Sequence, residues 1–555
     1  MPRPHQSARG PGQQAARLFT KTPEDMENCP PVVSERNLVA RPCDGVIAAL
    51  VVRFHIPWDR RSTCLLPASN VLIILLFTDP ILKCNLRAES RLAGNNREQE
   101  VAQLIGQMRR AIRELDRLWR DSSSRRICGR TEQRERFDAP RETLVRMRAS
   151  LEKNLTENIV PFWYPQSIDR VDGGYLLNHD VAGHWQGAAP KSLVAQARTL
   201  WFFARLLNSP YRSAGYEDAA AHGFEFLERC FWDVRSGGFH WRVDSTGAPI
   251  DCDKHLYGQA FALYALSEYA IAAGDERAAR RADELFDLVE RHARDRSHGG
   301  YREFLHRDWS APGPHEIGYL GKPARIKTLN THLHLLEALT RYNDLRPAAR
   351  VRDALTELVW VLGNTVVRKR YGACTDRHEE DWSVPQSDDR PRVVYGHDLE
   401  TIWFLIEASA GLAFPAALQV DLYETLFFNA WRYGYDHARG GFYLGGDIGR
   451  FASDRQKIWW VQAEALVCAL HLYALTRRKL YFDVSSKTLE WITVYQTDWQ
   501  RGEWYLRTDR AGVGSGEKAH ERAGTWKCSY HNGRAMLRSI ELADQLIALA
   551  PGRGH

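Results

Sequence analysis

The chain has 555 residues, 44% hydrophobic and 26% charged, so it can bury a large core and is not a disordered or fibrous protein. The net charge is +6, but arginine is concentrated in the first 150 residues, and the remainder does not predict a nucleic-acid surface. The ten cysteines include no Cys-x-x-Cys pair and no metal-ligand spacing, which indicates free thiols in a reducing, cytoplasmic compartment.

The N-terminal segment, residues 1–135, differs in composition from the rest of the chain. It is rich in arginine and proline and holds two short apolar runs, Val46–Val52 and Val71–Phe77. Neither run reaches the roughly 20 residues of a membrane helix, and neither stands where a secretory signal would, so no membrane partner is expected. We expect this extension to be disordered or to precede a later biological start such as Met147. The catalytic domain is then residues 141–548.

One turn motif recurs six times after residue 165, at intervals of 62 to 73 residues. Each copy is a glycine-containing turn next to an aromatic residue or a short strand-like segment. The copies are Gly173-Gly174-Tyr175, Gly237-Gly238-Phe239, Gly299-Gly300-Tyr301, Tyr371-Gly372, Gly440-Gly441-Phe442 and Gly502-Glu503-Trp504. Each interval is long enough for two helices. The repeat therefore predicts an all-α fold, an (α/α)6 barrel of six helical hairpins.

Twelve segments with helical periodicity fill these intervals. They are Arg141–Ile159, Lys191–Leu207, Tyr216–Phe231, His255–Ala273, Glu276–Arg294, Lys327–Asn343, Ala348–Val366, Asp398–Leu412, Ala416–Tyr433, Ile458–Thr476, Ser485–Tyr495 and Tyr530–Ala548. Alternate helices form the inner ring of such a barrel. The predicted inner helices begin at Lys191, His255, Lys327, Asp398, Ile458 and Tyr530.

Each predicted inner helix carries unusual polar residues near its beginning: Arg198, Tyr257, His334, His397, Glu464 and His531. In register at one end of a barrel, they would line one pocket. Asn330, His334 and Glu337 share one helix face. His397 and Glu400, three residues apart, could pair. Arg198 stands among apolar residues and needs a partner or a polar ligand, because a buried lone charge is costly.

Several kinds of chemistry fit this residue set poorly. The three histidines lie on separate helices without a His-x-x-x-His pair, so a metal site is not expected, and no phosphate loop or dinucleotide fingerprint is present. A glycosidase needs two carboxylates as acid and base, whereas Glu337, Glu400 and Glu464 each stand near a histidine or tryptophan. Two neutral histidines on opposite sides of an open-chain sugar could instead move a proton beside its carbonyl without a cofactor.

The motifs resemble the N-acylglucosamine 2-epimerase superfamily, in particular its cellobiose 2-epimerase branch, over about residues 141–548. The matching strings are Lys191-Ser192 with Arg198 and Trp201, Tyr257-Gly-Gln-Ala-Phe261 with Tyr264-Ala-Leu-Ser-Glu-Tyr269, Asn330-Thr-His-Leu-His334, Tyr395-Gly-His-Asp-Leu-Glu400, Trp459-Trp460-Val-Gln-Ala-Glu464 and Tyr530-His531-Asn-Gly-Arg534. Each string alone is weak, but six in the right order are specific.

The resemblance implies epimerisation at C2 of the reducing-end sugar of a β-1,4-linked disaccharide, by a monomer or homodimer without cofactor or metal. It makes His397 and His531 the acid/base pair, with Glu400 supporting His397, and His334 and Arg198 the ligands of the sugar oxygens. It assigns substrate binding to Tyr257, Asn330, Trp459, Trp460, Glu464 and Trp526.

Three alternatives remain at this point. Within the family, the substrate could be a monosaccharide, as for an N-acylglucosamine 2-epimerase or a mannose-type aldose–ketose isomerase. The barrel could also be a hydrolase or a polysaccharide lyase. A carbohydrate-binding protein with a dead site would be expected to lack His397 or His531, and both are present.

Overall fold

The computed structural model describes residues 50–52, 73–75, 135–179, 184–318, 321, 323–385, 391–509, 512 and 521–550. The chain divides into two compact units, residues 1–111 and 112–555. In the first unit, β1 (Leu50–Val52) pairs antiparallel with β2 (Ile73–Leu75). These strands fall within the two apolar runs of the N-terminal segment. The disorder expected for the rest of that segment lies outside the described residues.

In the second unit, the described residues form twelve α-helices of 12 to 20 residues. They are α1 (Arg141–Asn154), α2 (Leu193–Leu207), α3 (Ala214–Phe226), α4 (Leu256–Ala273), α5 (Glu276–Leu288), α6 (Leu329–Leu345), α7 (Ala349–Trp360), α8 (Tyr395–Gly411), α9 (Val420–Gly434), α10 (Trp459–Thr476), α11 (Lys479–Trp491) and α12 (Tyr530–Leu549). All of α1, α3, α5, α7 and α11 continue into a five-residue π-helical turn. No described helix is both long enough and apolar enough to cross a membrane.

The even-numbered helices form a closed inner ring. Each packs against the next in chain order, and α12 packs back against α2. The odd-numbered helices lie outside: α3, α5, α7, α9 and α11 each pack on the inner helix before them, whereas α1 packs on α12 and so joins the first hairpin to the last. Helix α2 buries every residue except Arg205, as expected for a helix covered on both sides. The structure confirms the (α/α)6 barrel.

Short antiparallel strands join the helices at one end of the barrel. They are β3 (Lys191–Ser192), β4 (Arg242–Val243), β5 (Pro249–Asp251), β6 (Lys254–His255), β7 (Phe304–Leu305), β8 (Lys327–Thr328), β9 (Val367–Arg368), β10 (Ala373–Cys374), β11 (Arg377–His378), β12 (Arg392–Val394), β13 (Gly445–Asp447), β14 (Lys457–Ile458) and β15 (Arg507–Thr508). The pairs are β3–β4–β5, β6–β7, β8–β11, β9–β10, β12–β13 and β14–β15.

These strands correct several predicted helix beginnings. Lys191, His255, Lys327 and Ile458 were predicted to begin inner helices, but each lies in a strand that precedes its helix. Helix α8 begins three residues before the predicted Asp398, which places His397 inside its first turn. Helix α11 begins six residues before the predicted Ser485.

The six glycine turns each close an antiparallel bridge. Five are single bridges, such as Trp232 with Phe239, and the fourth is the β9–β10 pair. Gly238 has φ of +70°, and a Cβ there would lie 2.5 Å from the Trp309 ring, so only glycine fits. In the sixth copy Glu503 takes this position with φ of +67°, and its carboxylate accepts hydrogen bonds from Trp163 Nε1 and Lys527 Nζ.

A buried lysine before four of the inner helices ties each helix to the glycine turn of its repeat. The pairs are Lys191 with Asp169 (2.8 Å), Lys254 with Asp233 (3.1 Å), Lys327 with Asp295 (2.7 Å) and Lys457 with Asp436 (3.0 Å). The fourth repeat has Val393 and Arg368 at the corresponding positions. Because the same tie recurs around the barrel, the inner helices begin at a common level.

A second recurring contact uses the fourth residue of the inner helices. The Gln196 side chain exchanges two hydrogen bonds with the backbone of Tyr175, and Gln259 and Gln462 do the same in their repeats. In α6 the residue is His332, whose Nε2 accepts from the Tyr301 backbone N–H at 3.0 Å. The first helical turns are thus held against the glycine turns.

Candidate active site

The sequence-predicted site residues converge at the end of the barrel where the inner helices begin. Arg198 and His334 are the sixth residues of α2 and α6, whereas His397 and His531 are the third residue of α8 and the second of α12. We call this end the histidine end. The lysine ties fix the helix beginnings that carry Arg198 and His334, and Glu503 ties the beginning of α12, which carries His531, through Lys527 and Asn532.

His531 is held by a carboxylate. Its Nδ1 lies 2.7 Å from Glu464 Oε1, and since a carboxylate accepts, Nδ1 carries the proton and Nε2 is left as the basic nitrogen. Burial, with the positive charges of Arg198 and Arg534, lowers the pKa of His531 well below 6.5. His531 is therefore neutral at pH 7 and able to accept a proton.

His334 has the same arrangement on α6, three inner helices away from α12 around the ring. Its Nδ1 lies 3.1 Å from Glu337 Oε2, and its ring packs edge-on against Tyr257 at 5.3 Å. Burial lowers the pKa of His334 to about 4, although the neighbouring Glu337 opposes this shift. A second neutral imidazole is therefore available at neutral pH.

Trp460 packs against two histidine rings. The His397 ring centroid is 5.0 Å from the Trp460 ring, and the His531 ring centroid is 5.8 Å from it, both at tilted angles. Trp460 and His397 are partly exposed. An aromatic ring with two imidazoles beside it can support the apolar C–H face of a sugar and bring both imidazoles close to that sugar.

Arg198 supplies a positive charge beside these imidazoles. Its Nη2 donates to the Tyr257 hydroxyl at 2.9 Å, and its guanidinium lies 4.1 Å from the Phe261 ring centroid. Its Nη1 is 3.4 Å from the carbonyl oxygen of Trp526, whose side chain is 39% exposed. Asn330 also bonds to Tyr257 through its side chain. These contacts give the charge of Arg198 a fixed position.

Arg534 is a functional residue that the sequence analysis left out of the site. It is fully buried and contacts three carboxylates: Glu337 through Nη1, and Glu400 and Glu464 through Nη2 at 2.9 and 2.7 Å. With three acids around one cation, burial and the charge of Glu464 raise the pKa of Glu400 well above 4.5. A signal was present in the sequence, because Arg534 follows Tyr530 by one helical turn and directly precedes the apolar run Ala535–Leu537.

Two other predicted residues have contacts that their assignment did not include. Glu464 was assigned to substrate binding, but its carboxylate bonds to His531, Arg534 and Trp403. Trp459 was predicted to bind substrate as well, yet it is 6% exposed and packs edge-on against His531 at 6.2 Å. Both side chains therefore lie behind His531 and support it.

One group among the described residues has the geometry to hold a metal ion. Ligand atoms of Glu400, Glu464 and His531 lie within 4.8 Å of one another. However, Arg534 Nη2 already bonds to both carboxylates, so a dication would have to displace a guanidinium anchored on Glu337. These carboxylates therefore suit the guanidinium of Arg534 better than a metal ion.

A closed (α/α)6 barrel that gathers paired imidazoles, a guanidinium and tryptophans at one end has the make-up of an enzyme. The chain matches the family model of N-acylglucosamine 2-epimerase (GlcNAc 2-epimerase) over residues 174–535. It is 30% identical over 400 residues to the cellobiose 2-epimerase of Bacteroides fragilis, a match that covers 71% of this chain and 98% of that protein. The chain belongs to the N-acylglucosamine 2-epimerase family, a family of isomerases.

Solved structures agree with this assignment. The cellobiose 2-epimerase from Spirochaeta thermophila DSM 6192 matches with a TM-score of 0.65 and 33% identity, covering 73% of this chain and 98% of that one. The N-acylglucosamine 2-epimerase of Mus musculus is also similar in sequence, at 24% identity over 68% of this chain and 87% of that protein.

Proposed function

We propose that the protein is a cofactor-independent 2-epimerase that interconverts glucose and mannose at the reducing end of a β-1,4-linked disaccharide of the cellobiose type. The observation that carries the proposal is that the rings of His397 and His531 both pack against Trp460, with centroids 5.0 and 5.8 Å away. The similarity to cellobiose 2-epimerases over nearly their whole length supports the disaccharide substrate.

The reaction begins with opening of the sugar ring. His334, neutral at pH 7, moves the proton of the C1 hydroxyl toward the ring oxygen, and the C1 aldehyde forms. Arg198 lies within the same group of side chains and binds the C1 oxygen. The guanidinium keeps its charge at any working pH, so it is already oriented for the negative charge that develops there.

Proton transfer at C2 follows. In one direction His531 Nε2 removes the C2 proton, the electron pair of the C–H bond forms the C1–C2 double bond, and the C1 oxygen becomes the enediolate oxygen beside Arg198. Glu464 then stabilises the imidazolium of His531. His397, which enters the step protonated, gives its proton to the opposite face of C2 while the C1 carbonyl re-forms, and proton exchange with solvent resets both histidines. In the reverse direction the two histidines exchange roles.

The test is proton NMR of cellobiose in D2O with the purified enzyme, without added metal or nucleotide, in parallel with mannose and N-acetylglucosamine. A new mannose-type reducing end with deuterium at C2 is the expected result. Turnover of a monosaccharide but not of cellobiose would move the assignment to a monosaccharide epimerase or isomerase and leave the histidine mechanism in place. Release of free glucose would indicate a hydrolase and overturn the proposal.

We further infer a cytoplasmic location and a catalytic domain of residues 141–548 that acts as a monomer or homodimer. The five cysteines that the structure describes, Cys230, Cys252, Cys374, Cys468 and Cys528, are free thiols. Thiols that remain unpaired are typical of a reducing compartment.

A further inference from the structure

A cavity of about 470 Å³ opens at the end of the barrel opposite the histidines. Its lining comes mainly from the second halves of α2, α4, α6 and α8 and from the middle of α12. Small-molecule sites typically enclose roughly 300–1,000 Å³, so this volume fits a compact ligand. We call this end the arginine end, for Arg205, Arg341 and Arg538, which line the cavity together with Arg534.

The wall of the cavity alternates in charge around the barrel. Arg205, Glu268, Arg341 and Glu407 each occupy the thirteenth position of their helix, on α2, α4, α6 and α8 respectively. Since equivalent positions of neighbouring helices lie at one level, these side chains form a band of alternating sign.

Arg205, Arg341 and Arg538 each have a carboxylate partner already. Arg341 bonds to Glu268 through Nε at 2.7 Å and Nη2 at 3.1 Å. Arg538 pairs with Glu407 at 2.5 Å, and Arg205 pairs with Glu541. An anionic ligand would compete with these carboxylates, and a cationic ligand would have to displace an arginine. The wall therefore favours a neutral ligand that adds hydrogen bonds to pairs that remain intact.

The floor of the cavity is aromatic. Trp201 stacks on Tyr264 with ring centroids 5.2 Å apart and planes 16° apart, and Trp403 lies nearby against Phe404. The indole N–H of Trp201 has no hydrogen-bond partner among the described residues. Aromatic faces together with many hydrogen-bonding groups are the surroundings that sugars and polyols prefer, because these ligands present both C–H faces and hydroxyls.

We propose that this cavity is a second small-molecule site, distinct from the histidine end, that binds a neutral polyhydroxylated ligand such as a sugar or a polyol. The two sites share a partition, because Glu337 and Arg534 line the cavity and also belong to the carboxylate network of the histidine end. A ligand in the cavity is held by the paired arginines and the aromatic floor without a charge of its own.

Sorbitol is a suitable probe, since it has no carbonyl group and cannot be epimerised. Saturation-transfer NMR of sorbitol with the full-length protein should show binding. Gly411 lines the cavity at the end of α8, and a Cβ there would meet Thr340 Cγ2 at 3.8 Å and Asn343 Nδ2 at 3.9 Å, which is ordinary contact. Gly411→Phe should fill the space and weaken sorbitol binding at least about tenfold, whereas Gly411→Ala, the matched control, should change it less than about twofold.

Further variants distinguish binding in this cavity from binding in the active site. Trp460→Ala, at the histidine end, should keep sorbitol binding, and Gly411→Phe should keep the kcat for cellobiose. Thr340→Phe serves as a second filling variant if Gly411→Phe does not fold. The proposal is overturned if sorbitol does not bind, if Trp460→Ala abolishes binding while both filling variants retain it, or if inorganic phosphate binds in the cavity in preference to sorbitol.

Discussion

Glutamates lie at both ends of the inner barrel, but they have different partners at the two ends. At the histidine end, Glu337 and Glu464 bond to imidazoles, and at the arginine end, Glu268 and Glu407 bond to guanidiniums. An arginine keeps its proton at any physiological pH, whereas an imidazole can give one up or accept one near neutrality. The two ends therefore use similar acids, but the guanidinium pairs of the arginine end cannot transfer protons, whereas the imidazole pairs of the histidine end can.

The partner also sets the state of each acid. Glu407, beside Arg538 and His471, has its pKa lowered to about 2 in spite of burial, so it is ionised throughout the physiological range. Glu400 shares Arg534 with two other carboxylates, and burial with the charge of Glu464 raises its pKa well above 4.5. The arginine end therefore contains ion pairs that stay charged, whereas the crowded carboxylates of the histidine end bind a proton more readily.

Removal of a histidine at each end gives the largest expected contrast. His531→Ala should lower kcat for epimerisation by about 10²–10⁴-fold, the usual contribution of a general acid or base. His471→Ala, which removes a buried imidazole 3.4 Å from Glu407 at the arginine end, should lower kcat by less than about tenfold. Initial rates measured by NMR compare kcat in the two variants, and circular dichroism checks that both variants are folded. Comparable losses in the two variants would remove the functional distinction between the ends.

Neutralising one carboxylate at each end should give a smaller effect. Glu464→Gln keeps the size of the side chain but removes the charge that stabilises the His531 imidazolium, so kcat should fall about 10–100-fold with little change in KM. The acidic limb of the pH profile of kcat/KM should also move to lower pH, which a purely structural role would not cause. Glu407→Gln is the matched control, and its pH profile should superpose on that of the native enzyme. An unshifted profile for Glu464→Gln would contradict the positioning role.

Much of the scaffold is readable in the sequence because it repeats. The glycine turns recur at a nearly constant interval, and this predicted the barrel, the inner set of helices and the end where the histidines lie. The two-residue strands were missed, since a strand so short has no periodicity to detect. The Arg534 network was missed for another reason: Glu337, Glu400 and Glu464 come from three helices more than sixty residues apart, and only closure of the ring brings them to one guanidinium.

The boundary of the barrel can be tested at the arginine end. Residues Glu135–Ala139 dock on the C-terminal end of α10: the Phe137 N–H donates to Arg477 O at 2.8 Å, and the Ala139 N–H donates to the Tyr473 hydroxyl at 2.8 Å. A chain that begins at Glu135 should therefore keep full activity. A chain that begins at Pro140 should lose about 2–3 kcal/mol of stability in urea unfolding, because buried Tyr473 loses its hydrogen bonds and Phe482 loses its aromatic neighbour Phe137. Equal stability of the two shortened chains would show that the docked segment is dispensable.

The last expected effect is confined to acid pH and concerns the stability of the histidine end. Burial lowers the pKa of His332 to about 3, from 6.5. As the pH falls from about 6.5 toward 3, the His332 imidazole is protonated in the unfolded chain but stays neutral in the folded protein. The free energy of unfolding therefore falls by up to about 1.4 kcal/mol per pH unit. Three other repeats place a glutamine at this position, where it accepts from the same backbone N–H.

His332→Gln should consequently preserve stability at pH 7.5 and reduce the loss measured between pH 6.5 and pH 4. The reverse variant, Gln259→His, should add acid sensitivity of similar size at an equivalent position on α4. Urea unfolding at several pH values measures both. If His332→Gln and the native protein lost stability in parallel through this range, His332 would not be one of the groups whose protonation opposes the fold, and the other buried histidines would have to account for the acid sensitivity.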